Sequence, residues 1–195
     1  GYYGPSDSMT FDETSGSGTG FLADLCVEWE QEARQAERIG MRVVCLRFGM
    51  VLEQDGGALA RMLLPFRLGL GGPMAPGTQW VSWIHRQDLI QLLLWVIAHR
   101  EIHGPVNGVA PEVVTMQELC RTLGQALRKP SWLQAPAFVL HLGLGELATM
   151  LTTGQHVKPV ASLLAGFSFR YPAMSAALAA IVRPQSSNHF ATTPC

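Results

Sequence analysis

Apolar residues recur along this chain with two periods, and the switches between them mark out its elements. Phe21, Leu25, Trp29, Ala33 and Ala36 follow one another at spacings of four, four, four and three, which puts them on one helical face. Glu28, Glu30 and Glu32 lead that segment and Arg34 and Arg38 close it, in accord with the helix dipole, and Gly40 is a natural stop. Residues Arg42–Phe48 are short, β-branched and apolar in their middle, the pattern of a strand covered on both faces. Asp55-Gly56-Gly57 marks a turn, Ala58–Leu64 a short helix that Pro65 ends or bends, and 69–78 a Gly/Pro loop. Gln79–Ile84 alternates Val81 and Trp83 with polar neighbours, which predicts a strand, and Leu89–Ala98 is a strongly apolar helix with Asp88 in its first turn. Pro105–Ala110 reads as a further strand. Thr115 and Glu118 form a capping box that opens a helix over about 116–128.

After Pro130 the pattern becomes mostly helical. It predicts a helix over about 136–151, a short one near 159–165, and a last one over 173–182. The chain thus divides into 1–130, an α/β part, and 131–182, a small helical appendage, with 183–195 as a polar, frayed tail. Residues 5–20 form a polar loop without periodicity, and no internal repeat is visible.

Composition narrows the function classes. With 48% hydrophobic residues, 15% charged residues and a net charge of -1, the chain is no disordered tail and lacks the clustered Lys and Arg that nucleic acid requires. Leu89–Ala98 and Ala135–Leu151 are too short, or too interrupted by His141 and Glu146, to span a membrane, which takes about 20 apolar residues. The expected partner is a small molecule, with no nucleic acid and no membrane. Four cysteines stand too far apart for a local metal knuckle or a CxxC pair, and Cys45 reads as a small buried hydrophobe. The opening Gly-Tyr-Tyr-Gly-Pro reads as mid-protein sequence, so no targeting segment is on view. The expected location is cytoplasmic or organellar (mitochondrial or plastid), in soluble form.

The candidate chemical motifs are weak one by one. The glycine-rich stretch at 69–73 could cradle a phosphate only if a helix opened directly after it; instead Pro73 and Pro76 lead into a strand, so the loop reads as a pocket rim. No other GxGxxG or Walker sequence is present. His99 and His103 read as a solvated helix end, and His156 stands alone, so no metal site is expected. Ser15–Gly18 resembles a nucleophile elbow in letters only, because it lies in a loop. His85 and Asp88 sit at a strand-to-helix junction, as pocket residues or as a strand end and helix cap.

Four segments together resemble extended short-chain dehydrogenases and epimerases. Tyr3-Gly4 resembles that family's "VYG" corner and Leu46–Val51 its "LR-x-x-x-V" strand end; Trp83–Leu89 resembles "x-I-H-x-x-D-x", and Pro105–Val109 its "y-N-V" strand. Residues 62–85, Gly145-Glu146 and 165–172 are similar to an atypical epimerase family with a C-terminal domain of unknown function. The resemblance covers residues 1 to about 182. It implies an α/β, partial Rossmann-type parallel sheet whose N-terminal βαβ half is missing, and NADP (or NAD) as the cofactor of the intact fold. It also implies that Gly49, Met50 and Val51 line the nicotinamide end, while Phe66, Arg67, Gly71, Gly72, Trp83 and His85 form the substrate pocket. One departure stands out. The Tyr-x-x-x-Lys pair of short-chain dehydrogenases is absent, since Phe21/Leu25 or Leu22/Cys26 takes its place, and Tyr3 is the remaining phenol that could act in catalysis. Three readings stay open: an NADP-dependent oxidoreductase or epimerase, a nucleotide-binding or interaction module without turnover, and an inactive fragment. No dinucleotide affinity is expected of the isolated chain, and its uncovered sheet edge predicts self-association.

Overall fold

A computed structural model describes residues 1–73, 76–131 and 154–182. Its centre is a parallel strand pair. β2 (Val44–Phe48) and β6 (Gly104–Gly108) run side by side from Val44↔Gly104 to Phe48↔Gly108. Successive β2 side chains turn to opposite faces, as strand geometry requires. Val44 and Leu46 pack against the apolar cluster that holds Ile84, Phe167 and, from α3 (Arg86–Ala98), Leu92 and Val96. Arg47 points the other way, to Glu30 of α1 (Phe21–Arg34), so α1 and α3 cover opposite faces of β2. This is the doubly covered parallel sheet that the apolar run predicts. Val44–Arg47 are nevertheless only half-buried and Phe48 is exposed, and the strand starts at Val44 rather than Arg42. Arg42 caps α3 instead, donating to the carbonyls of Val96 and Ile102.

Three further pairs complete the sheet topology among the described residues. β3 (Met50–Leu52) pairs in parallel with β5 (Trp83–His85), β4 (Trp80–Val81) pairs antiparallel with β7 (Val114–Thr115), and β1 (Thr10–Phe11) pairs in parallel with β8 (His156–Val157). The single strand expected over Gln79–Ile84 is therefore two strands with different partners, divided at Ser82. Alternation cannot reveal such a break, because both halves keep the same phase.

The helices differ from expectation in instructive places. α1 ends in a 3-10 turn (Gln35–Ile39) closed by Gly40 in the left-handed region, as read from the sequence. Its Phe21 and Trp29, however, are 78% and 66% exposed, and Ala23 is its buried residue. α2 (Gly57–Arg67) runs through Pro65. The proline lies near the C-terminal end, where bonds from Leu68 N to Leu64 O and from Leu70 N to Pro65 O carry the last turn. α4 (Met116–Leu127) has both halves of the predicted capping box. α5 (Val160–Leu164) and α6 (Met174–Val182) follow, and Ala177 and Leu178 of α6 join Leu119 and Leu123 of α4 in the largest apolar cluster. The helix expected over 136–151 and the tail over 183–195 lie outside the described residues. Cys45, expected as a buried hydrophobe, is half-buried, and Cys120 is the enclosed thiol, with burial pushing it up to about 12.

Candidate functional site

The carboxyl end of β2 is where an open parallel sheet offers space to a ligand. The chain there passes through Gly49 into β3, and it does so against Ser82. Met50 N donates to Ser82 O at 2.9 Å, and a Cβ at position 49 would overlap that same carbonyl, so only glycine fits. Ser82 also binds the C-terminal part of the chain: its hydroxyl donates to Gln155 O at 2.6 Å and accepts from Val157 N at 2.9 Å. One serine thus joins the β2–β3 bend, the β4–β5 break and β8. Beside it the His156 ring meets Trp80 edge-on with centroids 4.7 Å apart, and the Trp80 indole donates to Asp7 O. Burial and the charge on Lys158 lower the His156 pKa, which keeps the imidazole neutral at physiological pH.

A polar network adjoins this bend on the α1 side. Arg47 grips Glu30 with two bonds, of 2.6 Å from Nε and 2.7 Å from Nη2. Its Nη1 donates to Tyr3 Oη at 3.0 Å, and its guanidinium lies 3.3 Å above the Tyr2 ring centroid. Tyr3 Oη donates in turn to Asn107 Oδ1 at 2.7 Å. Asn107 is fully buried; its amide group donates to Lys158 O and its backbone N–H to Glu13 Oε1. Glu13 Oε2 accepts from Ala161 N. Burial raises the Tyr3 pKa, against the lowering pull of Arg47, so at neutral pH this phenol keeps its proton, directed at Asn107. Burial also works against the charge on Arg47, but Glu30 and Tyr3 outweigh it and hold the guanidinium firmly protonated.

The expected site residues fall into separate groups. Gly49, Met50 and Val51 lie together at the β2–β3 bend, with Met50 and Val51 half-buried. Phe66 and Trp83 share the largest apolar cluster, and a Cβ at Gly71 would enter the Phe66 ring, so the 66–71 loop folds back onto its own helix. Gly72 O accepts from Cys120 Sγ at 3.4 Å. Arg67 is exposed at the end of α2. Trp83 is fully buried, and its indole N–H has no hydrogen-bond partner among the described residues.

His85 stands apart from these. Its Nδ1 accepts from Gln87 N at 3.0 Å, which makes it the N-cap of α3, and its ring stacks 4.1 Å from that of Tyr171. Asp88 is 1% exposed and accepts from the backbone N–H groups of both Arg170 and Tyr171, at 2.9 and 2.8 Å. In the structure His85 caps α3 and Asp88 anchors the segment at 170–171. Among the described residues no group of three His, Cys, Asp or Glu side chains could hold a metal ion.

Sequence reasoning missed Ser82, Glu13 and Glu30. Ser82 had no signal beyond its polarity. Glu13 lay in a loop of Ser, Thr and Gly, and Glu30 looked like one acid among several on a solvated helix. The positions that a Tyr-x-x-x-Lys pair would take hold Phe21, Leu22, Leu25 and Cys26, and none of these can move a proton as a phenol beside an ammonium does.

The chain is similar to several known proteins. Residues 135–181 match a domain of unknown function (DUF1731). Over 183 residues the chain is 45% identical to an Arabidopsis thaliana protein described as "Epimerase family protein SDR39U1 homolog, chloroplastic", covering 94% of this chain and 52% of that one. It is 40% identical to the mouse epimerase family protein SDR39U1, covering 93% of this chain and 62% of the mouse protein. The crystal structure of the human epimerase family protein SDR39U1 (isoform 2) with NADPH superposes with a TM-score of 0.86 at 39% identity, over 92% of this chain and 61% of that one. The resemblance to epimerase-like, extended short-chain dehydrogenases therefore holds, as does the Rossmann-type α/β fold. The chain spans between 52% and 62% of the length of these curated relatives.

Proposed function

We propose that this chain forms the substrate-side part of an NADP(H)-dependent oxidoreductase or epimerase that acts on a small molecule. The supporting observation is the carboxyl end of β2: a parallel strand whose chain turns at Gly49 in a fold that superposes on an NADPH-bound relative. Gly49, Met50 and Val51 line the nicotinamide end in this reading. NADPH, when bound, supplies hydride. The residues here contribute a wall rather than a grip, since the 195-residue sequence holds no GxGxxG. Phe66, Gly71, Gly72 and Trp83 shape the core-side rim of the substrate space, Arg67 is its exposed charge, and His85 positions α3 beneath it. Tyr3 takes part through its hydroxyl, held between Arg47 and Asn107.

A second reading, nucleotide binding without turnover, is favoured by α1 itself. Phe21 and Leu22 stand exposed where an acid–base pair would begin. One experiment addresses both readings. A hybrid is made in which this chain replaces the matching region of the mouse relative, and it is titrated with NADPH and NADH by fluorescence. The expected result is saturable binding that favours NADPH, and its absence removes both readings. Binding followed by NADPH oxidation with a panel of carbonyl compounds and sugars supports the first reading. Binding with no oxidation across the panel supports the second. The 195-residue chain by itself is expected to show no affinity, and a micromolar dissociation constant would contradict that.

A further inference from the structure

Hydride chemistry at the carboxyl end of β2 needs a group that can give and take a proton, and α1 holds none at the positions of a Tyr-x-x-x-Lys pair. The Tyr3 hydroxyl is engaged on both sides, by Arg47 and by Asn107. Among the described histidines, His85 is committed to Gln87 N and His99 to Trp95 O. His103 is exposed just before Gly104, at the amino end of β6. His156 differs from all three. Ser82 holds both of its chain neighbours, Gln155 O at 2.6 Å and Val157 N at 2.9 Å, and the carbonyl of the same serine receives Met50 N at the bend after Gly49. Ser82 thus ties the backbone around His156 directly to the Gly49–Val51 wall. Val157 turns inward to Tyr3, Phe11 and Val109, so strand alternation sends His156 to the opposite face of β8. There its half-buried ring meets Trp80 edge-on at 4.7 Å. Nδ1 is buried without a hydrogen-bond partner, and no hydrogen bond to another described residue engages the ring. Buried polar atoms are nearly always paired, so an uncommitted imidazole beside a ligand space is a group with a use.

From these observations we infer that His156 is the acid–base residue of the reaction, acting on a hydroxyl or carbonyl oxygen of the substrate, an inference that rests on the function proposed above. With an alcohol, the imidazole takes the hydroxyl proton while hydride leaves the carbinol carbon for NADP+. The C–O single bond becomes C=O and the ring becomes imidazolium. With a carbonyl compound, the imidazolium returns that proton to the oxygen as hydride arrives from NADPH. Histidine suits this exchange because its ordinary pKa lies near neutrality. Its surroundings favour the neutral form: burial and the charge on Lys158 lower the pKa, and the backbone of His156 itself raises it less. The side chains that face it from other elements carry no charge, since its register partner on β1 is Thr10 and its ring contact on β4 is Trp80. Asp7 reaches the Trp80 indole through its backbone carbonyl.

The test uses the hybrid in which this chain replaces the matching region of the mouse relative. His156→Gln keeps a polar side chain but exchanges no proton. It should slow NADPH-dependent carbonyl reduction by roughly 10²–10⁴-fold and leave NADPH affinity unchanged. In the oxidative direction the unaltered hybrid should gain rate as the pH rises through the depressed pKa, below 6.5, and level off above it. The Gln variant should lose that rise. His103→Gln, at the far end of β6, should change neither rate nor profile, and circular dichroism checks that each variant is folded. A second readout needs no turnover. Diethyl pyrocarbonate should modify His156, followed by peptide mass, and saturating NADPH should slow the reaction there but not at His103. Modification of His156 that is indifferent to bound NADPH overturns the inference. So does turnover that survives His156→Gln with its pH profile intact, and in that case the function stands without His156. A hybrid that binds no NADPH, or binds it and turns over nothing, sinks the oxidoreductase reading and this inference with it.

Discussion

At the scale of single residues, the bend after β2 depends on one missing methyl group. Gly49 lies so close to the Ser82 carbonyl that Gly49→Ala must push β2 and β4 apart or break the bond from Met50 N. Overpacking of this kind costs about 1–3 kcal/mol, and a lowered midpoint in urea unfolding would register it. His85 makes a second residue-scale prediction, through pH. Burial depresses its native pKa below the ordinary 6.5, against the raising influence of Asp88, and its Nδ1 must stay unprotonated to accept from Gln87 N. The unfolded chain therefore binds the proton first. The stability that His85 contributes is whole above 6.5 and drains as the pH falls from there through the depressed native value. Unfolding midpoints should drop over that window, and His85→Gln should flatten the drop. An unchanged pH slope in the variant would refute this.

At the scale of elements, the sequence disclosed most where local chemistry decides. The capping box at Thr115 and Glu118 and the stop at Gly40 are set by neighbouring atoms, and both form as read. Elements whose limits depend on distant partners were less legible. The break at Ser82 is invisible in an alternating run because it arises from β3, β7 and β8, whose positions no local window contains. Asp88 is a similar case. In the sequence it is a carboxylate in a first helical turn; in the fold it holds the segment at 170–171 by two backbone N–H groups. Asp88→Asn would replace one acceptor oxygen with an amide that cannot accept from either N–H. Leaving a buried N–H unpaired costs about 1–3 kcal/mol. Amide hydrogen exchange at Arg170 and Tyr171 should accelerate in that variant ahead of exchange in β6, and equal protection at both places would argue against the anchoring role.

For the whole molecule, the Rossmann-type class was readable because a strand apolar through its middle, following an amphipathic helix, has few other homes. The candidate site was readable only in part. Gly49, Met50 and Val51 come together because they adjoin in sequence, whereas Phe66, Trp83 and His85 distribute themselves between a core and a helix cap. The network of Glu30, Arg47, Tyr3, Asn107 and Glu13 had no pattern to announce it, since its members come from four separate segments. The outer face of α3 was visible as an apolar run, but only the fold separates its buried half from its exposed one.

Glu13 has a consequence for the order in which the chain acquires its shape. One of its carboxylate oxygens waits for the N–H of Asn107, 94 residues on, and the other for that of Ala161, 148 residues on. β1 likewise has its partner in β8. Closing contacts of such span costs entropy before it returns any energy. During synthesis from the amino end, neither the carboxylate nor the strand can be satisfied until nearly all of the described residues have left the ribosome. The stretch around Glu13 is thus among the last parts of the described fold to settle, long after its own residues have emerged.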